Sequence, residues 1–409
     1  MKQRLRQDAH KIISAGIQAV LPDEAVRRAL QDFPHGNGKI LLVAIGKAGW
    51  QMAKAASECL THLDDGIVIT KYDHVKGEIP GVTCYEAGHP VPDDKGFFAT
   101  EKVLDLVHDL TAKDTVLFLV SGGGSALFEK PLLPAEELQN ITTQLLSSGA
   151  NIVEMNTVRK RLSAVKGGRF AQACAPAKVF AVILSDILGD PLDMIASGPA
   201  CPDPTTSDDA LAIVKKYQLK LSDNARSLLM QETPKSLDNV ETHINGSVRE
   251  LCSAVAKECS ALGYEPVYLT DQLSCIAREA GTFMGNICKS HASLGRKMAF
   301  IAGGETVVQL TGNGLGGRNQ ELALSAAIGI EGLNACVFSV GSDGTDGPTD
   351  AAGGIVDGDT IQELREKGID AYTVLYNNDS YHALQKVDGL IITGPTGTNV
   401  NDVAVALVG

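Results

Sequence analysis

Short apolar runs, most of them ended by glycine or a hydroxyl residue and followed by a segment of helical periodicity, recur along this chain. KILLVAIG (39–46), GIVIT (66–70), TVLFLV (115–120) and KVFAVILS (178–185) are the clearest of the first half. A run that continuous has no face to offer water, so it belongs to a strand buried on both sides. Strands of this kind alternating with helical segments imply βαβ units and a mostly parallel sheet, so the fold class is α/β. The second half alternates again: helix 248–262, strand 265–269, helix 274–294, strands 297–302 and 305–311, helix 318–330, strand 335–340, helices near 359–367 and 378–386, strands 389–393 and 402–408. Between the halves the polar segment QETPKSLDNVETHING is broken by Pro234, which sets a boundary near 235 and two domains, 1–235 and 236–409.

Glycine is the compositional outlier, with 42 among 409 residues, and it gathers at strand ends. The strand 115–120 runs directly into Ser121, Gly122, Gly123, Gly124 and Ser125. A strand that delivers bare backbone in this way presents amide N–H groups to a phosphate or another anion. The spacing is not that of a Walker loop, and no segment has the G-x-G-x-x-G dinucleotide pattern. A tight crossover turn is the purely structural alternative.

Two isolated cations sit where a helix begins. Lys47 follows Gly46 at the end of the strand 39–46, and Arg318 follows GNGLGG and opens RNQELALSAAIGI. A cation at a helix N-terminus costs about 0.3–1 kcal/mol unless an anion joins it. The alternatives are a lysine that bends into solvent and an arginine paired with Glu321. Carboxylates cluster in two loops: Asp186, Asp190 and Asp193 in SDILGDPLDMIASGP, and Asp343, Asp346 and Asp350 in SDGTDGPTD. The first loop follows a strand's carboxyl end, where open α/β sheets bind ligands. Carboxylates there can hold Mg²⁺ or orient a hydroxyl, or simply cap helices and turns. VRKRLSAVKGGRF (158–170) collects five cations and reads as a solvated helix face, although Asn156 or Lys166 could face a ligand. Among the histidines, His89 in GHPVPD is the one that merits a look.

A net charge of −13 argues against nucleic acid, and one Trp with 5% aromatics leaves little for base stacking. The nine cysteines show no metal-ligand or disulfide-framework spacing and read as buried thiols. No apolar run reaches the roughly 18–20 residues of a membrane span. The amphipathic N-terminal segment lacks a signal-peptide pattern, so a cytoplasmic location is expected.

Taken together, AIGKAGWQMA (44–53), GHPVPD (88–93), SGGGSAL (121–127), NTVRKRLSAVKGGR (156–169), SDILGDPLDMIASGP (185–199), PDPTT (202–206), GGETVVQLTGNGLGGRNQELAL (303–324) and SVGSDGTDGPTDAAGG (339–354) resemble the class II glycerate kinases, the glycerate 2-kinases with a MOFRL-type C-terminal domain. Ala200-Cys201 departs from the threonine and aliphatic residue usual in that family. The resemblance implies ATP-dependent phosphorylation of D-glycerate at the 2-hydroxyl, with Mg²⁺ or another divalent cation. It also implies a Rossmann-like N-terminal α/β/α domain, a distinct C-terminal α/β domain, and an active-site cleft between them. Catalytic roles map onto Lys47 and Arg318. Asp186 is expected to orient the hydroxyl or bind metal, with Asp190 as the other metal candidate. Ser121, Gly122, Gly123, Gly124, Ser125, Asn319, Glu321 and Asp343 are expected to bind phosphate or substrate. The partners are then small molecules, with neither nucleic acid nor membrane, and the chain a monomer or homodimer. Some members of the family carry the label hydroxypyruvate reductase; an NAD(P)H-dependent reductase and a non-catalytic sugar-phosphate-binding protein are the alternatives.

Overall fold

The computed structural model describes residues 2–34 and 36–409. It divides into two compact units, one of Val26–Leu184 and Asp190–Asn245, the other of Met1–Ala25, Ser185–Gly189 and Gly246–Gly409.

The first unit is built on six strands: β1 (Ile40–Ile45), β2 (Asp65–Lys71), β3 (Val82–Ala87), β4 (Thr115–Val120), β5 (Lys178–Leu184) and β6 (Val240–Gly246). Their spatial order is β3-β2-β1-β4-β5-β6, which is that of the doubly wound dinucleotide-binding folds. β1 is parallel to both β2 and β4, with Ile45 opposite Ile69 on one side and Val120 on the other. Every residue of β1 and β4 is buried, as their unbroken apolar runs require. The strand order reverses between these two strands, so the loops that follow them leave the sheet side by side at the place where such sheets bind ligands. Four helices, Ala135–Ser147, Ile152–Arg161, Ser207–Tyr217 and Asp223–Leu229, form a satellite core of their own through Leu138, Ile141, Leu145, Val158, Ala210 and Leu229.

The second unit carries β7 (Glu265–Leu273), β8 (Met298–Gly304), β9 (Ala335–Gly341), β10 (Gly353–Asp357), β11 (Leu390–Ile391) and β12 (Asp402–Val408), in the order β11-β10-β9-β12-β8-β7. Only β7 and β8 are parallel; the remaining pairs are antiparallel. Alternation along β12 separates two cores. Val403, Val405 and Leu407 pack in a core shared with Leu5, Ile12 and Ile13 of the helix Lys2–Ala19, whereas Ala404, Ala406 and Val408 belong to the core of the helices Ala277–His291 and Arg318–Ile330. Those two helices approach closely enough that a methyl group on Gly281 would stand 2.2 Å from the Leu322 carbonyl oxygen.

Several expectations are corrected. The division is not one cut near 235: the N-terminal helix joins the C-terminal half, Ser185–Gly189 goes with it, and the last crossing falls at 245/246. The polar stretch at that boundary contains β6, an edge strand whose half-exposed residues leave no apolar run. Residues 305–311 make no strand; Leu310 is 80% exposed there, and one isolated bridge from Val307 to Ile276 is the pairing they show. The basic segment is not a solvated face, because Lys160, Arg161 and Lys166 are among the most deeply buried side chains of the protein.

Candidate active site

The loop after β1 and the loop after β4 are stitched together by backbone and by one hydroxyl. Lys47 N–H donates to the Gly122 carbonyl at 2.9 Å. Ser121 Oγ accepts from Ala48 N–H at 3.0 Å and donates to the Ile45 carbonyl at 3.1 Å. Gly46 has φ +104°, and a Cβ there would lie 2.3 Å from both Ser121 O and Oγ, so only glycine fits. This geometry leaves the Lys47 side chain exposed, two residues ahead of the helix Gly49–Cys59 rather than inside its first turn. No carboxylate among the described residues pairs with its ammonium.

The glycine loop turns at Gly123, φ +88°, into the short helix Gly124–Leu127. Ser125 Oγ lies 3.0 Å from Ser197 Oγ, which donates to Asn156 Oδ1 at 3.0 Å. From below, Lys166 donates to the carbonyls of Ser125 at 2.7 Å and Phe128 at 3.1 Å, and its ammonium lies 3.4 Å from the Glu129 carboxylate. Burial lowers the Lys166 pKa to about 8. Ala196 and Ser197 both hold left-handed φ, 51° and 63°, a strain of about 1–3 kcal/mol each that clusters at functional sites. The segment around them is tied down by Gly167 N–H to Ser197 O, 3.0 Å, and by Lys160, which pairs with Asp193 at 3.0 Å and with Asp203 at 3.3 Å. Asp190, φ 52°, keeps a buried Oδ1 without a hydrogen-bond partner.

In the second unit, Arg318 opens the helix Arg318–Ile330. Its partner is not Glu321 but Asp402: Nε donates to Oδ2 at 2.5 Å and an Nη donates to Oδ1 at 2.9 Å, while the other Nη lies 3.4 Å from Glu305. The Asp402 hydrogen bonds raise the Arg318 pKa, so the guanidinium stays charged. Asp346 caps the same helix from a distant loop, accepting from Asn319 N–H at 3.1 Å and Gln320 N–H at 2.9 Å, and burial pushes its pKa up to about 6. Gly317 must lack a side chain for this, since a Cβ would stand 2.2 Å from Asp346 Cγ. Asn319 Oδ1 accepts from Ser339 Oγ at 2.5 Å. Asp343 Oδ1 accepts from Thr345 N–H at 2.9 Å. Glu321 is buried, bonded by Asn378 Nδ2 at 3.1 Å and 3.8 Å from Arg278.

The sequence-predicted residues therefore separate into groups. Lys47, Gly122, Gly123, Gly124, Ser125 and Asp190 lie in the first unit; Arg318, Asn319, Asp343 and Asp186 lie in the second, where the Asp186 carbonyl accepts from Asn401 Nδ2 at 3.2 Å. Ser121 and Glu321 are engaged in holding their own loop and helix. Sequence reasoning does not single out Asp402, Glu129 or Ser197; Asp402 carries a signal as the acidic end of the apolar strand DVAVALV, and Ser197 lies within SDILGDPLDMIASGP. Among the described residues no group of three or more His, Cys, Asp or Glu is arranged to hold a metal.

Two family models match, the domain of unknown function DUF4147 over residues 8–230 and the MOFRL family over residues 298–402. The D-glycerate 2-kinase of Thermotoga maritima is 52% identical over 415 residues, covering 99% of each chain. A provisionally named hydroxypyruvate reductase of Agrobacterium vitis is 39% identical over 424 residues, covering 99% of this chain and 94% of its own. The crystal structure of a glycerate kinase from Thermotoga maritima superposes with a TM-score of 0.95 at 52% identity, covering 100% of both chains. With two α/β units, a DUF4147 model over more than half its length and a full-length glycerate kinase likeness in both sequence and fold, the chain belongs to the glycerate kinase family.

Proposed function

We propose that this enzyme transfers the γ-phosphoryl group of ATP to the 2-hydroxyl of D-glycerate, giving 2-phospho-D-glycerate and ADP. The observation that carries the reading is the exposed, unpaired Lys47 ammonium held beside the glycine loop where the strand order of the first sheet reverses. Phosphoryl transfer asks for positioning and charge stabilisation more than for covalent chemistry. Lys47 supplies the charge for the phosphate oxygens, and the amides of Gly122 to Gly124 supply donors. Arg318 is the other candidate cation, at the start of the helix Arg318–Ile330. Two of its nitrogens are held by Asp402 and the other Nη lies 3.4 Å from Glu305, so an oxygen of substrate or nucleotide would compete with Glu305 for that Nη.

A divalent cation fits this donor set in one respect. Mg²⁺ is ordinarily held by nucleotide phosphates with one or two carboxylates, not by an all-protein cage. Asp190, with its buried and unpartnered Oδ1, is the carboxylate that suits it. When bound, such a cation neutralises phosphate charge. The described residues contain no helix long and apolar enough to cross a membrane, and all nine cysteines are free, as suits the reducing cytoplasm in which we place the reaction.

The test is product analysis by NMR after incubation with ATP, Mg²⁺ and D-glycerate. Phosphate on O2 supports the reading, and phosphate on O3 overturns its regiochemistry. Consumption of NADH with hydroxypyruvate in place of ATP turnover would establish the reductase. Lys47→Ala should lower kcat by at least about 10²–10³-fold, the usual loss for one preorganised electrostatic donor, with unchanged circular dichroism.

A further inference from the structure

We propose that His89 is the general base of this phosphoryl transfer. Its Nε2 takes the proton of the glycerate 2-hydroxyl as that oxygen bonds to the γ-phosphorus, while the bond from phosphorus to the β,γ-bridging oxygen breaks and ADP leaves with the electron pair. The inference rests on the kinase reading above.

Three strand ends converge on one point of the glycine loop. A Cβ added to Gly123, which follows β4, would stand 3.0 Å from His89 Cδ2, 3.1 Å from His89 Nε2 and 3.3 Å from Lys47 Cγ. Lys47 follows β1 and His89 follows β3, so the imidazole edge bearing Nε2 and the proposed phosphate-binding lysine share one turn of bare backbone. Gly123 is thus required twice, by its φ of +88° and by the ring laid against it. The turn that carries His89 is pinned. Asp93 accepts from Gly96 N–H at 2.9 Å, capping the next helix, and from Tyr72 Oη–H at 2.7 Å. A Cβ on Gly88 would lie 3.0 Å from that same carboxylate, so Asp93 sits directly under the turn.

The charges around the ring favour its neutral form. Burial comes first in lowering its pKa below the ordinary histidine value, followed by the Lys47 ammonium and then by Lys71 and His74 at the end of β2. The Asp93 carboxylate is committed to Tyr72, to the Gly96 amide of the next helix and to the Gly88 amide. A neutral imidazole beside a phosphate site is a base at neutral pH. Of the carboxylates of the acidic loop, Asp193 is less suited because Lys160 holds it, and Asp190 is the one assigned to the divalent cation.

The test measures single-turnover phosphorylation of D-glycerate against pH for the wild type, His89→Gln and His89→Ala. In the wild type the rate should fall on the acid side of its pH profile, because the base stops working when protonated. His89→Gln should lose about 10²–10⁴ in rate and lose the acid limb, with ATP affinity retained. Added imidazole should restore a pH-dependent rate to His89→Ala. A His89→Gln rate within tenfold of wild type, or a slow variant that keeps the acid limb, overturns the proposal. If the variants do not fold, a wild-type rate with no acid limb overturns it equally. Failure of the wild type to form 2-phosphoglycerate would sink the kinase reading instead.

Discussion

Arg318 shows how sequence distance misleads about a cation's neighbour. A guanidinium at a helix start needs an anion, and the nearest in sequence is Glu321; the fold supplies Asp402, 84 residues away, in a two-point contact. Planarity makes that contact bidentate, so lysine is no substitute. Arg318→Lys should therefore lose at least about 10²-fold in kcat, on the scale of one lost electrostatic donor. On the function proposed above, Asp402 would act through Arg318 as a positioning residue. Added guanidinium should rescue Arg318→Ala by occupying the vacated place on Asp402, and should fail to rescue Arg318→Ala combined with Asp402→Asn. Equal rescue in both backgrounds, measured as kcat against guanidinium concentration, would show that Asp402 does not hold the cation.

At the scale of elements, what could be read from the sequence followed burial. β1, β4, β5, β9 and β12 are continuous apolar runs and lie where their patterns place them, and the helix Arg318–Ile330 begins and ends where its periodicity does. β6 was hidden because an edge strand is half exposed and carries Glu241, His243 and Asn245. The buried cations were hidden for the opposite reason: lysine and arginine are almost always solvated, so nothing local marks Lys160, Arg161 and Lys166 as interior. Their partners Asp203, Glu129 and the loop carbonyls come from other elements. Lys166 is the informative case. It holds the glycine loop by two carbonyls, yet both Glu129 oxygens lack hydrogen-bond partners. Lys166→Met should cost about 3–5 kcal/mol by stranding a buried carboxylate, and adding Glu129→Leu should recover most of it. Activity should not return with stability, because the carbonyls of Ser125 and Phe128 lose their donor in both variants. Urea unfolding and kcat, taken together, check this; a double variant as active as wild type would show that Lys166 does not shape the loop.

For the whole molecule, the order of the chain is a poor guide to which parts fold together. The chain starts in one unit, builds most of the other, returns briefly at Ser185–Gly189 and comes back for good at Gly246. No local signal could reveal that the first helix covers a sheet whose strands begin more than two hundred residues later, since amphipathicity marks a buried face without naming what buries it. Leu5, Ile12, Ile13 and Val20 are buried against the second unit, Tyr264 Oη–H donates to Asp8 at 3.0 Å, and Arg6 Nε donates to Asp357 at 2.5 Å. At about 1.5–3 kcal/mol for each large apolar side chain, this burial is worth on the order of 10 kcal/mol. That is comparable with the whole stability of an ordinary domain, about 5–15 kcal/mol. A chain lacking residues 1–25 should therefore lose the second unit selectively. Amide hydrogen exchange should show β8, β9 and β12 unprotected while β1, β4 and β5 keep their protection, even though the missing segment adjoins the first unit in sequence. Loss of protection confined to β1, β4 and β5 would mean that the helix stabilises its sequence neighbour instead, and full protection everywhere would mean that the area buried by it contributes far less than its apolar content requires.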